Sequence, residues 1–189
     1  MPGRRGELKY LDVTFASAHS STGVLTLLNG LAPGTGPSQR IGRKVKNMSL
    51  LYRSGIGSGD LGAAPFRGLL RTLIVYDKQA NATAPTVNDI LEGIGASSAM
   101  DMNNRDRFLV LFNRTAAIDQ SGGNQSSKIE LYKKMNLNTI FNAGTAGTIA
   151  DITTGSIYLL TMAENANNLV TPTNFPITTF YSRIRYDDS

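Results

Sequence analysis

The chain has no cysteine, no tryptophan and a single histidine among 189 residues. Without cysteine there is no disulfide, no thiolate metal ligand and no cysteine nucleophile. With His19 alone, no site that needs two imidazoles can form, and a histidine-based catalytic triad is not expected. Charged residues make up 17% of the chain, against about a quarter in an average globular protein. No apolar run reaches the length of a membrane-spanning helix. Met1–Glu7 has no apolar stretch behind it and does not read as a secretory signal. A soluble protein, made in a reducing compartment or indifferent to redox, is therefore expected, and the Asn-x-Ser/Thr triplets at Asn47, Asn81, Asn113 and Asn124 read as chance.

Glycine, threonine, serine and asparagine are abundant instead. That composition suits many short strands joined by turns and argues against a helical bundle or coiled coil. The length fits one domain, or at most two small ones. The net charge of +5 is unevenly placed. Residues 1–59 carry eight basic groups (Arg4, Arg5, Lys9, Arg40, Arg43, Lys44, Lys46 and Arg53) and two acids, and no acid lies between Asp12 and Asp60. A one-sided basic segment is a footprint for a polyanion, because each neutralised phosphate releases counterions; a solvated basic face is the alternative.

Period-two runs rich in β-branched and aromatic residues recur between turn clusters. They predict strands at Thr22–Asn29, Arg40–Arg53 (with Gly42 as a bulge), Phe66–Asp77, Asp106–Ile118, Lys128–Met135, Asn138–Asn142, Gly155–Ala163 and Thr178–Asp187. One or two helical turns are expected at Thr86–Glu92. Gly55–Pro65 reads as a loop. Eight antiparallel-type strands with alternating tight turns and long connections favour an all-β, eight-stranded jelly roll of two four-stranded sheets with one short helix. Residues 1–15 are expected to form a short basic arm and 16–189 the single domain.

Several segments then resemble one known family. They are Gln39-Arg40-Ile41-Gly42-Arg43-Lys44-Val45, Val75-Tyr76-Asp77-Lys78-Gln79 leading through Asn81 and Pro85 to Asp89-Ile90-Leu91, and Asn104-Arg105-Asp106-Arg107-Phe108. Glu7-Leu8-Lys9-Tyr10-Leu11-Asp12, Asn136-Leu137-Asn138-Thr139 and Asp151-Ile152-Thr153-Thr154-Gly155-Ser156-Ile157-Tyr158 extend the match from about residue 7 to the end. In order and spacing they are similar to the capsid proteins of circular Rep-encoding single-stranded DNA viruses. The resemblance implies a jelly-roll coat subunit, about sixty copies of which close an icosahedral shell around circular single-stranded DNA. It implies a location in the virion, with assembly in the host cell, plausibly its nucleus, an unknown host receptor and no membrane partner. Members usually begin with a long Arg/Lys-rich arm, whereas only Arg4 and Arg5 precede Glu7 here, a departure that bears on genome packaging and not on shell formation.

A jelly roll places its first, eighth, third and sixth strands in one sheet and its second, seventh, fourth and fifth in the other. On the strand count above, the third strand (Arg67, Arg71) and the eighth (Arg183, Arg185) are neighbours. Their four arginines are expected to form one phosphate-binding patch, since the guanidinium fork donates paired hydrogen bonds. The alternative is pairing with acids of a neighbouring subunit. Arg43, Lys44 and Lys46 fall in the other sheet and rank second, with interface pairing to Asp60 or Asp77 as their alternative. Arg4, Arg5 and Lys9 complete the expected nucleic-acid contacts. Tyr10, Phe15, Tyr52 and Tyr181 are candidates to stack on unpaired bases or to anchor core and interfaces. Asp187 and Asp188 are a candidate calcium pair or simply solvated.

No catalytic constellation is evident. His19 lacks a nucleophile elbow, and Gly55-Ile-Gly-Ser-Gly59 lacks the lysine of a P-loop. No enzyme activity, cofactor or metal is expected. The reading from another class is a lectin-like jelly-roll binding module acting as a monomer or small oligomer.

Overall fold

Strand alternation governs the chain, because successive side chains of an extended backbone point to opposite faces and only one face of each strand can be apolar if the other meets water. In the computed structural model, which describes residues 8–57, 66–120, 122–165 and 175–188, nine strands form. They are β1 (Lys9–Ala18), β2 (Val24–Leu27), β3 (Lys44–Gly57), β4 (Arg67–Asp77), β5 (Phe108–Asp119), β6 (Ser127–Phe141), β7 (Ile152–Thr154), β8 (Ser156–Asn165) and β9 (Ile177–Asp187). One sheet has the order β1-β9-β3-β6-β7 and the other β2-β8-β4-β5, all antiparallel. With β7 set aside as a short edge addition, the order is first-eighth-third-sixth against second-seventh-fourth-fifth. That is the jelly roll, and the fold class expected from sequence holds.

The strand bounds differ in ways that matter. β1 occupies residues expected in a basic arm: Lys9 to Ala18 pair in unbroken register with Tyr186 to Ile177 of β9. Lys128–Asn142, expected as two strands, is mostly one continuous strand, β6. Missing one strand and splitting another kept the total at eight but shifted every label between them. Arg67 and Arg71 therefore stand on the fourth strand, in the sheet away from β9, and the four-arginine patch does not form. Lys44 and Lys46 stand on the third strand, directly beside β9. Gly55–Gly57, expected as loop, end β3. The bulge lies between Asn47 and Ser49 rather than at Gly42. It absorbs one residue, so Val45 and Asn47 point inward before it and Leu50, Tyr52, Ser54 and Ile56 after it.

The core lies between the sheets. Leu50, Tyr52 and Ile56 of β3, Leu70 and Ile74 of β4, Ile129 of β6, Ile157 and Leu159 of β8, and Phe180 and Ile184 of β9 pack there. At one end a buried polar network crosses the gap. Asn29 Nδ2 donates to Thr139 Oγ1 (2.9 Å) and to the Gly155 carbonyl (2.9 Å), and Asn47 Nδ2 donates to the same threonine oxygen (2.8 Å).

A second core lies on the far side of the β2-β8-β4-β5 sheet. The connection 78–107 folds back over it and packs Ile90, Leu91 and Ala96 against Leu73, Val75, Tyr158, Leu160 and Met162. The helical turn α1 (Val87–Ile90), expected from sequence, starts this cover. Thr86 and Asp89 cap it reciprocally: Asp89 N donates to Thr86 Oγ1 (3.2 Å) and Thr86 N to Asp89 Oδ2 (2.6 Å). The cover is tied down at its end by Arg107, whose guanidinium donates through Nε and Nη2 to both carboxylate oxygens of the fully buried Asp77 (2.9 and 2.8 Å).

Candidate nucleic-acid interface

One sheet is covered, and among the described residues the outer face of the other is bare. The strands β9 and β6 alternate buried and exposed along their lengths, while β4 and β8 are buried on both sides over most of theirs. On the bare face the register builds rows across β1, β9, β3 and β6. They read Tyr10–Arg185–Ser49–Lys134, then Asp12–Arg183–Leu51–Tyr132, then Thr14–Tyr181–Arg53–Glu130, then Ala16–Thr179–Gly55–Lys128. Beyond the bulge, Asp187, Lys46 and Asn138 form a further row, with Lys44 next to Ile140. The bulge makes this possible: it puts the even-numbered Lys44 and Lys46 on the same face as the odd-numbered Leu51, Arg53 and Gly55.

The face thus gathers seven cations (Lys44, Lys46, Arg53, Lys128, Lys134, Arg183, Arg185) against three carboxylates (Asp12, Glu130, Asp187). Exposed tyrosines stand among them, Tyr132 at 62% and Tyr10 at 40% accessibility. Arg183 is the most engaged cation. Its Nε and Nη2 donate to the two oxygens of Asp12, each at 2.7 Å, and its guanidinium lies 4.6 Å from the ring centre of Tyr10 and 5.7 Å from that of Tyr181. The hydrogen bond from Arg183 holds the Asp12 carboxyl below its usual range, so the pair is fully ionised at neutral pH. Arg53 Nε pairs with Glu130 at 2.7 Å and Lys128 shares that carboxylate at 3.4 Å. A depression of about 290 Å³ is lined by Lys44, Lys46, Asn136, Asn138 and Asp187.

The expected contacts sort differently from their sequence ranking. Arg185, Lys44 and Lys46 are exposed on the bare face, and Arg43 is exposed just ahead of β3. Arg183 is on that face but held by Asp12. Arg71 is a correction: it is buried under the cover, donating to Asn113 Oδ1 (3.0 Å) and to the Ser98 carbonyl, and reaches no polyanion. Arg67 is exposed on the other sheet beside Asp119, at 3.2 Å. Lys9 is also a correction, since its buried ammonium is bound to the Gln39 carbonyl (3.2 Å) and to Asp188 (3.0 Å). Arg4 and Arg5 lie outside the described residues, as does Asp60. Asp77 is taken by Arg107 and pairs with none of Arg43, Lys44 and Lys46. Tyr52 is core, and Phe15 is half exposed on the edge strand.

Arg53 entered the sequence reading only as part of the basic segment 1–59, and Lys128, Lys134 and Tyr132 were missed by it. Their signal was the unbroken alternation of Lys128, Glu130, Tyr132 and Lys134 along β6. Arg40, in the segment Gln39–Val45, is structural. It donates to the carbonyls of Leu31 (3.1 Å), Gly42 (3.1 Å) and Gly144 (2.8 Å) and lies over Phe141. Among the described residues no cluster of three metal-ligating side chains forms, and no helix is long and apolar enough to cross a membrane. Asp188 is occupied by Lys9 and by the Ile41 amide at 2.8 Å.

No family model matches the chain, and no curated protein matches it. Solved structures similar to it include Desmodium yellow mottle tymovirus, with 12% identity over 97% of this chain and 89% of that one and a TM-score of 0.34. The infectious bursal disease virus VP2 subviral particle shares 12% identity over 96% of this chain and 33% of its own, with a TM-score of 0.34. The Gx strain of the same virus shares 9% over 96% and 32%, with a TM-score of 0.31. The chain thus spans about a third of the two bursal disease virus chains. The jelly-roll assignment rests on the strand order itself.

Proposed function

We propose that this chain is the coat subunit of a small icosahedral virus, and that about sixty copies close a shell around circular single-stranded DNA with the bare face of the β1-β9-β3-β6 sheet turned inward. The observation that carries the reading is the asymmetry of the two sheets. One is sealed by its own connection, and the other presents seven cations and three exposed or half-exposed tyrosines on a plane that no described residue covers. The motifs shared with the capsid proteins of circular Rep-encoding single-stranded DNA viruses, in order along the whole chain, support the same reading. The role is structural rather than catalytic. DNA is held through non-specific phosphate contacts, and the site of action is the virion and, during assembly, the host nucleus. Sixty copies of a +5 subunit carry roughly +300, enough to matter to a packaged genome.

Size-exclusion chromatography and negative-stain microscopy of the purified chain test the assembly. Megadalton particles are expected. A 20 kDa species under varied salt and pH would instead point to a monomeric binding module. Absorbance at 260 and 280 nm then tests packaging. Particles with bound nucleic acid, and affinity that falls steeply between 50 and 200 mM salt, are expected for a phosphate-binding interior.

A further inference from the structure

A cavity of about 680 Å³ opens on the bare face at the end away from Lys44 and Lys46, lined by Thr14, Ala16, Arg53, Gly55, Lys128 and Tyr181 among others. Its volume lies within the ~300–1,000 Å³ typical of small-ligand sites. Its floor is Gly55, in a central strand, flanked by Thr179 of β9 and Lys128 of β6. Glycine inside a strand is unfavourable: it packs nothing and loses the most backbone freedom on folding. The two usual compensations are absent here. Gly55 does not have positive φ, and a Cβ placed on it would meet no atom within 4 Å. Among the described residues nothing fills the place of the missing side chain, so the glycine keeps the volume above the strand open. A glycine in a strand commonly marks a place where a ligand or another backbone approaches closely, and the groups around Gly55 decide between them.

The walls say what kind of ligand. Among the described residues Arg53 and Lys128 share the single carboxylate of Glu130, two positive charges against one negative at the rim. Tyr181 stands opposite Arg53 across the β9–β3 pair. Its ring is steadied by Arg183, and its hydroxyl, which interacts with Asp12, is pushed to higher pKa by burial and by that carboxylate. Neighbouring strands are about 4.8 Å apart and alternate residues along one about 6.7 Å, so tyrosine, floor and cations all lie within the span of one nucleotide. We infer that this cavity takes one unpaired nucleotide of the enclosed strand, its base against Tyr181 over Gly55 and its phosphate at Arg53 and Lys128. The inference rests on the reading that the bare face meets nucleic acid. It adds that the face selects single strands, because a paired base has no free ring to insert.

The test uses the full chain with a fluorescein-labelled oligothymidylate and a duplex of equal length, read by anisotropy. Gly55→Val places a β-branched side chain in open space on a strand, so thermal stability is expected to hold or rise. Single-strand affinity is expected to fall about tenfold, the scale of losing one stacked base, with duplex affinity and salt slope unchanged. Gly55→Ala gives a smaller fall in the same direction. Arg185→Glu, elsewhere on the face, weakens both probes. Unchanged single-strand binding by Gly55→Val, with Arg185→Glu still weakened, overturns the nucleotide cavity and leaves the face intact. No effect from either variant overturns both. Folded Gly55→Val subunits that bind DNA normally but no longer assemble assign the floor to a second copy of the chain, which also overturns the inference.

Discussion

The two sheets of this jelly roll share an apolar inner face and differ in what lies outside. The β2-β8-β4-β5 sheet carries its own roof, the connection 78–107, and its central strands read as nearly continuous apolar runs because both faces are buried. The β1-β9-β3-β6 sheet has no such roof among the described residues, and its strands alternate. Burial on both faces commits a sheet to stability. Burial on one leaves the other free to carry charge, and most of the chain's excess positive charge is there. The contrast also explains why arginine content alone misleads. Arg71 is as basic as Arg185 but serves as a bracket under the roof, through Asn113 and Ser98.

The largest effect is expected from removing the roof's anchor. Arg107→Ala leaves the Asp77 carboxylate buried with its guanidinium partner gone, a change that costs about 3–5 kcal/mol. Urea unfolding measures the loss. Asp77→Asn in the same background is expected to recover part of it, since the stranded charge is then removed. If Arg107→Ala is nearly neutral, the roof is held by apolar packing alone.

A second, slightly smaller effect tests the junction where the chain passes from one sheet to the other. His19 follows β1, is 2% exposed and is hydrogen-bonded through Nε2 to the Thr178 hydroxyl at the start of β9. Burial pushes its pKa down to about 4, offset only in part by a main-chain contact at Met162. The unfolded imidazole takes up its proton near pH 6.5. Between the two values the unfolded state binds more protons, so stability falls as pH drops from about 6.5 to about 4, by on the order of 3 kcal/mol. His19→Gln is expected to flatten that limb in unfolding curves at pH 7, 5.5 and 4.5. Asp12 and Glu164 are held below the carboxylate range by Arg183 and Ser97 respectively. Their contributions fade only as pH falls through about 4 and lower, so the two windows separate.

The same contrast accounts for what was legible in sequence. β9 was read correctly because it alternates cleanly, Phe180, Ile184 and Tyr186 inward and Arg183 and Arg185 outward. β4 is recognisable as a strand, but its sequence does not show which face turns inward, because the roof formed by the connection that directly follows it makes both faces apolar. β1 carries a period-two pattern of Leu11 and Val13 against Tyr10 and Asp12, but its position next to Arg4 and Arg5 made it look like an arm. β6 was broken at Asn136-Leu137, between a strand expected to end at Met135 and one expected to begin at Asn138; asparagine is a turn residue. In the folded chain both asparagines point out of the sheet and line the small depression beside Lys44 and Lys46. The cavity at Gly55 was hidden for a different reason. A glycine in a strand signals the absence of something, and only the register shows which cations and which tyrosine surround the gap.

The smallest expected effect sharpens the comparison by matching two exposed arginines, one on each sheet. Arg67 and Arg185 are both solvent-accessible and both near a strand end. Arg67 lies 3.2 Å from Asp119, with both side chains largely exposed, and such surface pairs contribute about 0–1 kcal/mol. Arg67→Gln is therefore expected to change stability by no more than about 0.5 kcal/mol and to leave DNA affinity and its salt dependence as they were. Arg185→Gln is expected to be equally mild in stability. Its salt dependence differs: each phosphate contact removed lowers the slope of log K against log salt by about 0.7 for single strands. Titrations of particles or subunits with the same oligonucleotide at several salt concentrations separate the two. Equal slopes for the two variants would mean that charge acts through the whole surface rather than through one face. Unequal slopes would mean that the phosphate contacts lie on the bare sheet, which is the face that a coat subunit would turn toward its genome.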